Sequence, residues 1–218
     1  MDHHIYSYEE VKLKITMRKL WEDHAIWTRM FIVDLLSNFP SIDNTTNRLL
    51  KNQEAIGNCM KSFFGDTAGD TLSSLLKDHI TITADLIKAI KTGDVTRSTT
   101  LETDAITNAE NIATFFATIN PCYSRDELIE MLDTNLILVK YQFIARMSGD
   151  YNADVMYFDM GLHHILMISD CLFKGIIERF FEEQTIYSYQ TEYQDQANYP
   201  TQTEEQTLDQ YQPPQEQI

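Results

Sequence analysis

From Leu72 to Ile119 two apolar stripes stand on either side of Gly93. The first is Leu72, Leu75, His79, Ile82, Leu86 and Ile90; the second is Leu101, Ala105, Asn108, Ile112, Phe115 and Ile119. Both step by three and four residues, the spacing that keeps side chains on one face of an α-helix. A chain patterned this way is expected to form two long helices that turn back at the glycine and bury those faces together. Each stripe has one polar interruption. His79 lies 14 residues before Gly93 and Asn108 lies 15 after it. An antiparallel pair therefore brings them to one height, about 21 Å above the turn at a rise of roughly 1.5 Å per residue.

The same periodicity extends in both directions. Residues from about Glu9 to Phe39 read as one helix with Leu20, His24, Trp27, Phe31 and Leu35 on a shared face, closed by Pro40. Ser41 and Asp43 offer caps for a shorter helix from about Thr45 to Phe64, and the next begins near Asp70. Asn120-Pro121 ends the second stripe. Ser124-Arg125-Asp126-Glu127 is an S-x-x-E capping box, which predicts a helix from Arg125 to about Gly149. Asn152 can cap a last helix to about Glu183 with Val155, Phe158, Leu162, Ile165, Ser169, Leu172 and Ile176 inward. The expected fold is all-α: an up-down bundle of five or six helices with a four-helix-bundle core, spanning residues 1–183. Residues 184–218 contain ten Gln, five Tyr, six acidic residues and no Lys or Arg, without apolar periodicity. That composition predicts a disordered acidic tail, ordered only by a partner.

Turn-to-residue distances predict where the polar interruptions meet. Asn135 lies 14 residues after Pro121 and Asn108 lies 13 before it; Asn135 is also 14 before Gly149, and His163 is 14 after. Up-down topology thus gathers His79, Asn108, Asn135 and His163 or His164 in one mid-height layer, with His24 placed to join. Imidazoles on facing helices are how bundles build metal sites, and imidazole suits copper and zinc. His24 and His79 are the foremost candidate ligands, with Asn108, Asn135, His163 and His164 as further ligands or their supports. The competing expectation is a hydrogen-bonded layer that only specifies the fold. A second candidate is the start of the chain, Met1-Asp2-His3-His4. A free amine, two backbone amides and the His3 imidazole make a square-planar nitrogen set for Cu(II) or Ni(II). Arg29 and Arg48, set among apolar residues, are expected in interhelical ion pairs with carboxylates such as Asp34 or Asp170.

Composition removes other classes. With 33 acidic against 17 basic residues the formal net charge is −16, and no basic patch offsets it. Nucleic acid and anionic membrane are therefore disfavoured as partners. Three widely spaced cysteines, Cys59, Cys122 and Cys171, read as free thiols of an intracellular protein, cytoplasmic or, for a viral chain, virion-borne. No nucleotide-binding or hydrolase signature is present, so no nucleotide cofactor is expected and the reading leans away from an enzyme. The expected partners are a metal ion or small ligand, plus a protein held by the tail; the oligomeric state stays open, a homodimer included.

Several motifs occur together: Trp21-Glu22-Asp23-His24-Ala25-Ile26-Trp27-Thr28-Arg29, Leu75-Leu76-Lys77-Asp78-His79, Asn108-Ala109-Glu110-Asn111-Ile112-Ala113, Ile119-Asn120-Pro121 and Leu166-Met167-Ile168-Ser169-Asp170. In order and spacing, from about Leu20 to Ile177, the chain resembles an uncharacterised family of small bacterial helical-bundle proteins with relatives in large DNA viruses. Members are sometimes labelled acetylglutamate kinase or glycosyltransferase, but this chain lacks the strand–helix alternation and phosphate loops of such enzymes. The resemblance implies histidine at the positions of His24 and His79, and often at that of Asn135. Asparagine in that third place either weakens a metal site here or transfers a ligand role to His163 or His164.

Overall fold

The computed structural model describes residues 6–182. Six α-helices follow one another: α1 (Tyr8–Ser37), α2 (Ile42–Phe64), α3 (Asp66–Thr92), α4 (Val95–Ile119), α5 (Arg125–Met147) and α6 (Tyr151–Ile177), the last running into a π-helical turn at Glu178–Glu182. No strand occurs among the described residues. Each helix packs against its neighbours in sequence, and α6 returns against α1, so the six close into a ring. The all-α up-down bundle expected from periodicity is what forms. The compact helical unit ends at Phe181. The tail at 184–218 and the His3 nitrogen set lie outside the described residues.

Local chemistry sets most helix ends. Ser7 Oγ accepts the Glu10 N–H while the Glu10 carboxylate accepts the Ser7 N–H, a reciprocal cap that starts α1. Ser124 Oγ accepts the Glu127 N–H at 3.3 Å, and α5 begins at Arg125 as the S-x-x-E pattern predicts. The cap of α6 is Asp150, which accepts the Ala153 N–H at 3.0 Å; the expected cap Asn152 lies one residue inside the helix. Ser41 makes no cap bond, because its hydroxyl instead donates to Asp34 Oδ2 at 2.8 Å.

The α2–α3 junction is tighter than the sequence pattern suggests. Gly65, at φ +83°, ends α2 and immediately starts α3, four residues before the expected Asp70. So abrupt a reversal presses the two helix backbones together. A Cβ at Gly57 would lie 2.4 Å from the Gly69 carbonyl oxygen, and one at Gly69 would lie 2.6 Å from the Gly57 carbonyl oxygen. Only glycine permits this approach.

Two apolar clusters fill the ring. One holds Met17, Trp21, Ile56, Leu76, Phe116 and Leu172 among others; the second centres on Phe31, Ile32, Leu49, Ile80, Ile87 and Phe143. Along α1, α2 and α3 the boundary between them falls at His24, at Asn52 and Gln53, and at His79. A polar layer at mid-height therefore divides the core. The region Tyr151–Phe181 is long and apolar enough to cross a membrane, yet just under half of its most apolar stretch is buried within the bundle. The three cysteines are free thiols.

Candidate functional site

The mid-height layer contains His24 from α1, Asn52 and Gln53 from α2, His79 from α3, Asn108 from α4 and Asn135 from α5, all buried. Each sits on the inward stripe of its helix, one turn from an apolar core residue: Trp21 precedes His24, Leu76 precedes His79, and Leu132 precedes Asn135. Polar groups in such surroundings need partners. His79 Nδ1 lies 3.1 Å from Asn108 Oδ1, and Asn108 Nδ2 donates to the Leu75 carbonyl at 3.1 Å. Because the Asn108 amide nitrogen is committed to that carbonyl, its oxygen faces the imidazole and accepts the Nδ1–H. His79 Nε2 then carries the free lone pair.

His24 is held differently. Gln53 Nε2 stands 3.2 Å from His24 Nδ1, 3.0 Å from the Leu49 carbonyl and 3.2 Å from Asn52 Oδ1. Asn52 Nδ2 in turn donates to the Leu20 carbonyl at 3.0 Å, tying α2 to α1. An amide nitrogen donating to Nδ1 leaves the His24 proton on Nε2. Gln53 Oε1 is buried without a hydrogen-bond partner. Turning that amide over would present Oε1 to Nδ1 and free Nε2 of His24 as a lone pair, while giving up the bonds to the Leu49 carbonyl and Asn52 Oδ1.

Burial keeps both rings neutral. Loss of solvation pushes His24 down to about 3, helped by the nearby His79 imidazole and opposed by the Gln53 hydrogen bond. Loss of solvation likewise lowers His79, against the Asn108 hydrogen bond. Next to His24 is a cavity of about 20 Å³ lined also by Thr28, Asn135, Gln142 and Leu162. Thr28 Oγ1 is buried with no partner. The space fits one water molecule or one ion.

Not every predicted member of the layer is there. His163 is exposed on α6. His164 is half-buried and turns away, its Nε2 donating to the Met131 carbonyl at 2.8 Å. Neither is on the buried face of α6. Of the residues expected inward on α6, Ile165, Ser169, Leu172 and Ile176 are buried, while at the start of the helix Asp154 is buried and Val155 exposed. Asp154 receives Arg29 in a fork at 3.0 and 3.1 Å, Arg146 at 2.8 Å and Gln142 Nε2 at 3.2 Å. These contacts anchor the start of α6 to α1 and α5. Arg29 is thus in an interhelical ion pair, with Asp154 as its partner. Arg48 pairs with Asp23 at 3.5 Å and covers the Trp27 ring, Asp170 is taken by Arg18, and Asp34 accepts hydroxyls of Ser41 and Thr45.

Asn52, Gln53 and Thr28 were missed as members of the layer. Their signal was present: Leu49, Asn52 or Gln53, Ile56 and Met60 step by three and four, as the other stripes do. Among the described residues no group of three or more His, Cys, Asp or Glu side chains is arranged to hold a metal ion. The layer offers two imidazole nitrogens, and any further donor must be a neutral oxygen or water. No protein-family model, curated protein or solved structure matches this chain.

Proposed function

We propose that this bundle is a non-enzymatic binding protein whose polar mid-layer holds a transition metal ion, copper or zinc, through His24 and His79. One observation carries the reading: His24 of α1, buried and uncharged, borders a cavity of single-ion size, and the buried, uncharged His79 of α3 is close enough to lower its basicity. Uncharged imidazole is the ligating form, so metal need not displace a proton near neutral pH. The Asn108 carbonyl on His79 Nδ1 is the kind of support that fixes a ligating ring and raises its basicity. His24 joins once the Gln53 amide turns over. Thr28, Asn135 and Gln142 line the adjoining space and supply the neutral oxygens for remaining positions.

A second reading has its own support. The His79–Asn108–Leu75 hydrogen bonds tie α3 to α4, and the Gln53–Asn52–Leu20 bonds tie α2 to α1, without any guest. On that reading the layer specifies helix register, and the chain acts by binding a protein through its acidic tail.

Metal analysis with calorimetric titration of Cu(I), Cu(II) and Zn(II) separates the two. The proteins compared are the full chain, a form lacking residues 1–4, and a His24→Gln, His79→Gln double variant. About one equivalent bound by the first two and lost in the third is the expected result. Uptake lost with residues 1–4, or unchanged in the double variant, overturns the mid-layer site. No uptake at all leaves the fold-specifying reading, which partner binding before and after removal of 184–218 then tests.

A further inference from the structure

A larger cavity, of about 220 Å³, lies between α3, α4 and α5, apart from the residues of the polar layer. Its walls include Leu86, Ile87, Ile90, Leu136 and Phe143, and its mouth is flanked by the half-exposed Ile106 and Ile137. For scale, an apolar cavity of about 150 Å³ accommodates benzene. Two polar atoms interrupt this lining. Thr83 Oγ1 and Asp133 Oδ1 are both buried without a hydrogen-bond partner. Glu102, also at the cavity, is engaged by Lys140, so the nearby cation is already committed.

Asp133 is different. It sits on α5 ten residues before Phe143, so the carboxylate and the aromatic ring mark ends of a slot about 15 Å apart along the helix. A buried carboxylate oxygen facing an apolar slot is costly unless a donor meets it. Burial raises the Asp133 carboxyl above the usual range, and the negative field of the neighbouring Glu110 adds to it. A cationic donor answers both conditions, whereas an anion meets repulsion and an alcohol answers only the hydrogen bond.

We propose that this cavity binds a small primary amine with an apolar alkyl or aryl body, its ammonium on Asp133 and its hydrocarbon toward Phe143. Thr83 supplies a second polar contact for a hydroxyl or ammonium hydrogen. The volume suits a body of roughly six to ten non-hydrogen atoms. The site is independent of the metal reading, because its polar groups Thr83 and Asp133 lie outside the mid-layer and only the apolar Val139 borders both cavities.

The test is calorimetric titration of the full chain with hexylamine, hexanol and hexanoate at neutral pH and about 0.15 M salt, where long-range attraction to the acidic surface is screened. Hexylamine is expected to bind at least ten-fold more tightly than hexanol, and hexanoate not at all. Asp133→Asn, which keeps shape and removes charge, is expected to bring hexylamine to the level of hexanol. Ala105→Leu, which fills the cavity from α4, is expected to abolish both. His24→Gln with His79→Gln should leave amine binding intact. The proposal fails if hexylamine does not bind, if it binds no better than hexanol, or if its preference survives Asp133→Asn.

Discussion

At neutral pH the imidazoles of His24 and His79 hold no extra proton, because the core gives a cation little solvation and no counter-ion. The unfolded chain protonates both near 6.5, while the fold resists down to about 3 for His24. Their contribution to stability is therefore complete above pH 6.5 and is lost as pH falls below it. Denaturant unfolding should show stability declining between pH 6.5 and 4 by roughly 1.4 kcal/mol per pH unit for His24, with His79 adding to the decline in the same direction. The His24→Gln, His79→Gln double variant should flatten that slope; an unchanged slope would mean that other groups carry it. Metal at the layer should steepen the decline, since protons and metal compete for the same lone pairs. Residue identity alone could not reveal this. His24 and His163 are the same chemical group, and only their burial makes one a buried neutral base and the other a surface side chain.

At the scale of the helix, glycines govern how closely neighbours approach. The crossing of α2 and α3 depends on Gly57 and Gly69, where any Cβ would overlap the opposite backbone carbonyl. Gly57→Ala gains helix propensity of about 1 kcal/mol but must push the helices apart. It is expected to destabilise by about 1–3 kcal/mol, as overpacking does, read as a lowered denaturation midpoint. A neutral or stabilising result would show that the helices part easily there. α6 meets the α4–α5 connection in a similar way. Tyr123 lies over Gly175 and donates to the Leu172 carbonyl at 2.7 Å, while Asn120 Nδ2 donates to the Gly175 carbonyl at 2.8 Å. Helix existence and most boundaries were legible from spacing and caps. The one-residue α2–α3 turn was not, because a glycine in a loop and a glycine between abutting helices look alike until the helices are packed.

For the molecule as a whole, ring closure depends on α6 returning to α1. The seam is held by the fork of Arg29 on Asp154, reinforced from α5 by Arg146 and Gln142, and by Arg18 on Asp170. Asp154 is among the most buried residues, so its removal leaves two guanidinium groups facing one another without their shared anion. Asp154→Ala should cost about 3–5 kcal/mol. Hydrogen exchange in the variant should rise first along α1 and α6, as local opening of that seam requires; uniform acceleration over all six helices would argue that the seam is no weaker than the rest. The mid-layer and the larger cavity lie on opposite sides of this question. The mid-layer joins helices, whereas the cavity is a place where α3, α4 and α5 fail to meet.

The sequence by itself determined the all-α class, the up-down order, and the height of His79 and Asn108 on either side of Gly93. These follow from residue spacing and from a fixed rise per residue, both local properties. It also brought Asn135 to that height. Tertiary structure decided rotation, partner and space. Asp154 rather than Val155 is buried at the start of α6, where Arg29 and Arg146 meet it, and His163 lies off the buried stripe of that helix. Gln53 became the partner of His24 through packing between α1 and α2 that no spacing within either helix encodes. The slot ending at Asp133 exists only where three helices leave a gap, and a gap is a property of the packed bundle, not of any stretch of chain.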